Sequence, residues 1–190
     1  MYRLREIERD DIIEINRWRN DPEIISYLGA PFRYINREVD EKWFDGYMTS
    51  RNNSVRCVIT DETNSCLGLV SLTNINYLNR TAEFHIQIGD NTHYGKGMGT
   101  FAVMEMLNHA FNNLNLHRVE LGVLADNYRA IHLYEKCGFM KEGCKHSAIY
   151  KNGEYKDLLM YAILRENSID SGGGVNRFVD MLSPLHEVAA

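Results

Sequence analysis

"HYGKGMGTFAVMEMLNHAF", residues 93–111, sets Gly95, Gly97 and Gly99 on alternate positions just ahead of Thr100, Phe101, Ala102, Val103 and Met104, a run of ordinary helix formers. Glycine loses more conformational entropy on ordering than any other residue, and nucleation is the step of helix formation that can least bear it. Two readings follow. Either the glycines make a turn, or they make a loop whose backbone N–H groups close around a ligand with no side chains in the way. A helix N-terminus carries unpaired N–H groups and about half a positive charge, which suits phosphate. A P-loop would need Lys and then Ser or Thr after the last glycine, and Met98, Gly99 and Thr100 break that pattern. A dinucleotide fingerprint would need GxGxxG on a parallel βαβ unit, and that spacing is absent.

On the N-terminal side, residues 2–8 alternate as a first strand. "DDIIEINRWRND" then predicts a helix with Asp10 or Asp11 as N-cap, Ile12, Ile15 and Trp18 at helical spacing, and Pro22 closing it. A second helix is expected near 37–50, with Val39, Trp43, Phe44 and Tyr47 as its apolar stripe. "SVRCVITD" and "CLGLVSLTNIN" read as strands joined by the turn-rich "DETNS". "TAEFHIQIG" (81–89) alternates cleanly, with Ala82, Phe84, Ile86 and Ile88 on one face and Glu83, His85 and Gln87 on the other. After the glycine loop a helix runs to about Asn113, Val103, Met106, Leu107 and Ala110 facing inward. "HRVELGVLA" is a strand and "NYRAIHLYEKCGF" a short helix ending at Gly138. A hairpin turned at Asn152-Gly153 follows. The order β-α-α-β-β-β-α-β-α-β-β is an α+β chain with a mixed, mainly antiparallel sheet flanked by helices.

Composition narrows the classes. The chain has 190 residues, 44% hydrophobic and 25% charged, enough for one core without disulfide staples. A net charge of -5 with no basic run argues against a nucleic-acid binder. Cys57, Cys66, Cys137 and Cys144 lack metal-site spacing, and Cys57 and Cys66 are expected to face one another across a hairpin as reduced thiols. No stretch reaches the roughly 20 apolar residues of a membrane span, so a cytoplasmic protein with no membrane partner and no metal is expected. Residues 1–165 are expected to form the domain. Residues 166–190 are expected to form a Gly-rich hinge and C-terminal tail, in which Val175, Phe178, Val179 and Leu182 have the spacing of a short docking helix.

Over residues 2–165, and most densely from Gly68 to Leu164, the chain resembles the GNAT superfamily of acetyl-CoA-dependent N-acetyltransferases. The family's phosphate loop, Q/R-x-x-G-x-G/A, is similar to Tyr94-Gly95-Lys96-Gly97-Met98-Gly99, with Tyr94 in place of the usual Gln or Arg. "LADNYRAIHLYEKCGF" is similar to the segment after the family's fifth strand. "NRWRNDPEI", "RTAEFHIQI" and "NGEYKD" resemble the branch of ribosomal-protein N-terminal acetyltransferases and spermidine acetyltransferases. The resemblance implies a GNAT-like sheet, acetyl-CoA as co-substrate, and a cofactor site of Gln87, Ile88, Tyr94, Gly95, Lys96, Gly97, Met98, Gly99, Thr100, Asn127 and Tyr134. Tyr134 is the expected acid for the departing thiolate.

Removing the proton of an alkylammonium needs a proton sink near neutral pH. Glu83 is the candidate base, against a structural pairing with Arg80 or Arg118; His85 is second to it as base and is otherwise a polar wall residue. For the acceptor, Trp18, Tyr27, Phe32 and Tyr34 form either an aromatic wall or ordinary core and rim. Arg33 and Arg37 are candidates for a phosphate-bearing substrate. The link "SYLGAPFRYINREVDEKWF" has Gly29, Ala30 and Arg33 where the spermidine enzymes carry clustered acids, which weakens a polyamine pocket. Expected acceptors are a small amine, an amino sugar or a protein N-terminus, with a polyamine behind them. A catalytically silent acyl-CoA-binding module is the alternative, and a homodimer is the expected assembly.

Overall fold

Hydrogen bonding between β4 (Thr81–Ile88) and β5 (Arg118–Leu124) covers only Thr81, Ala82 and Glu83 against Arg118, Val119 and Glu120, and this short pairing organises the molecule. It is the parallel pair in a seven-stranded sheet of order β1-β2-β3-β4-β5-β7-β6. The computed structural model describes residues 1–89, 92 and 94–169. β1 (Arg3–Glu6), β2 (Val55–Thr60), β3 (Cys66–Asn76) and β4 form an antiparallel meander on one side. β6 (Met140–Lys151) and β7 (Glu154–Leu164) form the hairpin on the other, its turn at Asn152 (φ +52°) and Gly153 (φ +87°) as expected for an Asn-Gly pair.

Helices cover both faces. α4 (Met98–Asn108) and α5 (Tyr128–Lys136) pack on Ile59, Val70, Leu72, Ala82 and Phe84, the main core. α1 (Ile12–Arg19) and α3 (Arg37–Thr49) bury Ile12, Ile15, Trp18, Phe44 and Tyr47 against Val58 and Leu69 on the opposite face. Strand alternation therefore aims Phe84 at α5 and its neighbours Glu83 and His85 at the α1–α3 side.

Four local expectations need correction. Pro22 does not merely close α1. It opens a further helix, α2 (Pro22–Ser26), whose N–H groups at Glu23 and Ile24 are capped by Asp21, because proline at a first helical position gives up an N–H that has no partner anyway. Asp11 holds the N-cap position of α1 but makes no side-chain cap. Its carboxylate takes the Arg5 guanidinium (2.7 and 2.8 Å) and the Glu8 N–H. Val39 is 53% exposed, so the α3 stripe runs through Phe44 and Tyr47. Cys57 pairs in register with Val70 and Cys66 with Thr60, so the two thiols do not face one another. All four cysteines are free, and burial pushes Cys57 up to about 11 and Cys66 to about 12.

A further short helix, α6 (Arg165–Ile169), carries the chain into the segment read as a hinge, with Ser168 buried and its hydroxyl bonded to Arg165. The candidate helix at Val175–Leu182 lies outside the described residues. Among the described residues no helix is long and apolar enough to cross a membrane.

Candidate active site

Past Glu83, β4 and β5 separate, and the β4 edge facing β5 has no strand partner among the described residues. Unpaired backbone groups at a sheet edge must find another partner, so a gap inside a sheet is a place for an extended ligand. The gap opens a cleft of about 690 Å³. Its walls come from β4 (Glu83–Ile88), β5 (Glu120–Leu124), α5 and the link after α2.

The glycine loop follows the end of β4 and feeds α4. Gly95 (φ +76°) and Gly97 (φ +82°) sit in the left-handed region, with open space where a Cβ would stand. Gly97 is the N-cap residue of α4 and offers no side-chain cap; its carbonyl accepts the first helical hydrogen bond, from the Phe101 N–H (2.9 Å). The first-turn N–H groups thus keep the uncapped state that favours an anion. Gly99 has a different reason. A Cβ there would lie 3.0 Å from Leu133 Cδ2, so this glycine sets the approach of α4 to α5. Met98 is 1% exposed, so its side chain belongs to the core and only its backbone faces the loop. Lys96 is exposed at the loop's rim and Thr100 half-buried behind it.

Tyr94, Gln87, Ile88, Asn127 and Tyr134 all line the cleft. The amide nitrogen of Gln87 is buried without a hydrogen-bond partner among the described residues. Asn127 is engaged within the chain: its oxygen caps α5 at Ala130 (3.2 Å) and its nitrogen donates to the Tyr27 carbonyl (2.9 Å). Arg129, which the sequence reading did not single out, lies 4.0 Å from the Tyr94 ring centroid and 5.7 Å from that of Tyr27, bridging the two walls. Tyr134 is 7% exposed, set edge-on to Phe84 (6.3 Å) and against Phe139 (5.8 Å). Its hydroxyl makes no hydrogen bond to another described residue, and burial, with a smaller push from Cys137, raises its pKa.

Glu83 and His85 enter the cleft from the other face of the sheet, with Nε2 of His85 3.7 Å from Glu83 and 2.9 Å from the Thr73 hydroxyl. The alternative partners of Glu83 are occupied. Arg80 bonds Asn115, and Arg118 pairs with Glu120 (3.0 Å) and Glu142 (2.5 Å). Burial lowers the His85 pKa; Glu83 opposes this and the Arg56 charge adds to it.

The expected acceptor residues divide. Tyr27 and His85 line the cleft. Trp18 does not: it is 1% exposed and fills the second core beneath Gly89, where a Cβ would come within 2.0 Å of its ring. Phe32 meets Tyr34 edge-to-face (5.2 Å), Tyr34 is 91% exposed, and neither they nor the exposed Arg33 and Arg37 reach the cleft wall. The physical reason is Lys151. Buried on β6, it donates to the carbonyls of Ile25 (2.6 Å), Leu28 and Ala30 (2.9 Å), drawing Leu28–Ala30 into the wall and turning the following residues outward.

Arg19, Trp43 and Arg56 line the cleft instead. The signal for Arg56 was available: in "VRCVIT" it shares its face with Val58, so a charge is placed on an inward-facing strand position. Away from the cleft, Cys144, His146 and Asp157 bring potential metal-ligand atoms within 4.8 Å of one another on the β6–β7 hairpin. There the Asp157 carboxylate already accepts from the Ser147 N–H (2.8 Å) and meets His146 (2.9 Å).

A family model described as an acetyltransferase (GNAT) domain matches residues 2–140. A spermidine N(1)-acetyltransferase of Vibrio cholerae is 35% identical over 168 residues, spanning 88% of this chain and 95% of that protein. A putative ribosomal N-acetyltransferase of Bacillus subtilis, YdaF, is 34% identical over 101 residues, 53% of this chain and 55% of that one. The crystal structure of the Vibrio cholerae spermidine N-acetyltransferase with CoA and spermine superposes with a TM-score of 0.82 at 34% identity, covering 89% of this chain and 98% of that one.

Proposed function

The chain belongs to the GNAT acetyltransferase family and is an acetyl-CoA-dependent N-acetyltransferase, and on that premise we propose which of its residues carry the transfer to a primary amine. The observation that carries the assignment is that Tyr134 and Glu83 reach one cleft from opposite faces of the sheet, at the point where β4 and β5 part. Acetyl-CoA supplies an activated acyl group as thioester. The uncapped N-terminus of α4, with Gly95 and Gly97, holds its pyrophosphate. The free edge of β4 and the Gln87 amide hold its pantetheine arm.

In the reaction a C–N bond forms as the C–S bond breaks. Glu83, directly or through water, accepts the proton that the amine must lose. The Tyr134 hydroxyl donates to the departing sulfur. A raised pKa keeps that hydroxyl protonated throughout the working range. The same burial that disfavours a phenolate disfavours a bare thiolate, so the proton demand at sulfur rises together with the donor's pKa.

The acceptor candidates are a small amine, an amino sugar or a protein N-terminus. The polyamine reading is favoured by the relatives that act on spermidine. Coenzyme A thiol release measured over a panel of amines, spermidine and a free peptide N-terminus included, tests the proposal. Release should require an amine and should fall in Tyr134→Phe. Amine-independent release would assign the cleft to acyl-CoA binding alone. Light scattering tests the expected homodimer.

A further inference from the structure

Arg56 stands on the cleft face of β2, in register with Ser71 on β3, which is in turn in register with His85 on β4. The three form one row across the acceptor floor. Two inter-strand spacings, about 10 Å, separate its ends. The Arg56 guanidinium lies 4.9 Å from the Trp43 ring centroid and 5.6 Å from that of Tyr47. Arg19 lies on Trp43 as well, at 4.7 Å, so Trp43 serves two cations.

The two arginines differ in how their charge is met. Arg19 is paired with Asp40, which is fully buried. Arg56 makes no ion pair and no side-chain hydrogen bond among the described residues, and its Nε is buried without a partner. The nearby acid Glu6 is already taken by Arg51 (2.5 Å) and the Tyr47 hydroxyl (2.6 Å). A partly desolvated cation with unmet donors is unfavourable, and two aromatic faces relieve only part of that. What completes it is an oxyanion, because the planar guanidinium matches carboxylate and phosphate oxygens in pairs.

We propose that Arg56, held by Trp43 and Tyr47, is the seat of an anionic group on the acceptor, a carboxylate or a phosphate about 10 Å from its reactive amine. This rests on the reading that the amine reacts at the Glu83–His85 end. It sets the acceptor class apart from a polyamine, whose second cation would meet Arg56 instead of an acid. Glu83 answers the amine, Arg56 answers the anion, and Ser71 and Thr73 floor the space between them.

The test compares matched acceptors in the thiol-release assay: 8-aminooctanoate, 8-aminooctyl phosphate, the neutral 8-aminooctan-1-ol, and spermidine. In the wild-type chain kcat/KM for at least one anionic acceptor should exceed that of the neutral one tenfold or more, and the stronger of the two anions names the source. Arg56→Gln should reduce that ratio by tenfold, while Arg56→Lys, which keeps charge without the fork, should reduce it less. A preference for spermidine or the neutral amine would overturn the proposal. So would an equal loss on all acceptors in a folded Arg56→Gln, which would make Arg56 a structural prop. Calorimetric titration of 8-aminooctyl phosphate into the CoA-loaded wild-type chain needs no variant and no turnover, and absence of binding overturns the proposal too. Wild-type turnover in Glu83→Gln and Tyr134→Phe, with the anion preference intact, would instead remove the acid and base and leave the anion seat standing.

Discussion

The two ends of the cleft are built on different chemistry. The end proposed for the cofactor offers backbone: a free strand edge, an uncapped helix N-terminus and two glycines in the left-handed region. The end proposed for the acceptor offers side chains from five separate segments, namely Arg19, Tyr27, Trp43, Arg56, and Glu83 with His85. Backbone recognition constrains where glycine must stand, and so it leaves a short local pattern. Side-chain recognition constrains only where residues meet in space, and so it leaves none.

Substitutions at the two ends should separate this contrast. The largest effect is expected where they join, at Tyr134. Tyr134→Phe should lower kcat by roughly 10²-fold with acetyl-CoA affinity little changed, as measured by steady-state kinetics and calorimetry. Wild-type kcat, with chemistry shown to be rate-limiting, would take Tyr134 out of the mechanism. At the cofactor end, Gly97→Asp puts both a left-handed strain and a carboxylate at the α4 N-terminus. Acetyl-CoA affinity should fall at least tenfold, about 1.4 kcal/mol, with acceptor KM moving far less. Unchanged affinity in a folded variant would reduce the loop to a turn.

At the acceptor end, Glu83→Gln should cost several-fold in kcat/KM below about pH 8, where the amine is protonated, and recover as free amine appears. A drop of equal size at every pH would point to positioning rather than proton transfer. Lys151→Met leaves three carbonyls without their buried donor. It should lower stability by about 1–3 kcal/mol and raise acceptor KM while sparing acetyl-CoA affinity. Loss of both affinities in denaturation-controlled assays would mean that the two ends are not separable.

The smallest effect concerns His85. Its folded-state pKa is depressed, so the folded chain declines a proton that the unfolded chain accepts. Stability is therefore complete above the ordinary imidazole value near 6.5 and declines as pH falls toward the folded-state value. His85→Gln should flatten that part of the Tm-against-pH curve. Arg56→Gln should leave the onset in place and make the decline smaller, because one of the charges opposing imidazolium is gone. A wild-type curve flat from pH 7 to 5 would contradict the depression of His85.

Each strand was legible as an alternating or β-rich run, and α4, α5 and the Asn152-Gly153 turn as local patterns. The faces of β4 were legible too, because a period of two assigns Glu83 and His85 opposite to Phe84 once one face is apolar. α2 escaped notice because Pro22 was read as a stop, though proline at a first helical position is also a start. Trp18 stays open between cleft wall and core in the sequence, because an aromatic in an amphipathic helix has the same local signature in either place. Gly89, seventy-one residues later and pressed against its ring, decided the matter.

The sequence by itself determined the strands, most of the helices, the glycine loop at Gly95–Gly97 and the family to which the chain belongs, since these depend on dihedral preference and on residues close in the chain. Only the tertiary structure decided which side chains line the cleft. Lys151 gathers carbonyls more than 120 positions away in the sequence, and β2, β3 and β4 carry Arg56, Ser71 and His85 into one row through register. Local preference acts over a few residues, whereas the match of a buried charge to its partner is settled by packing between segments that do not see one another until the sheet has formed.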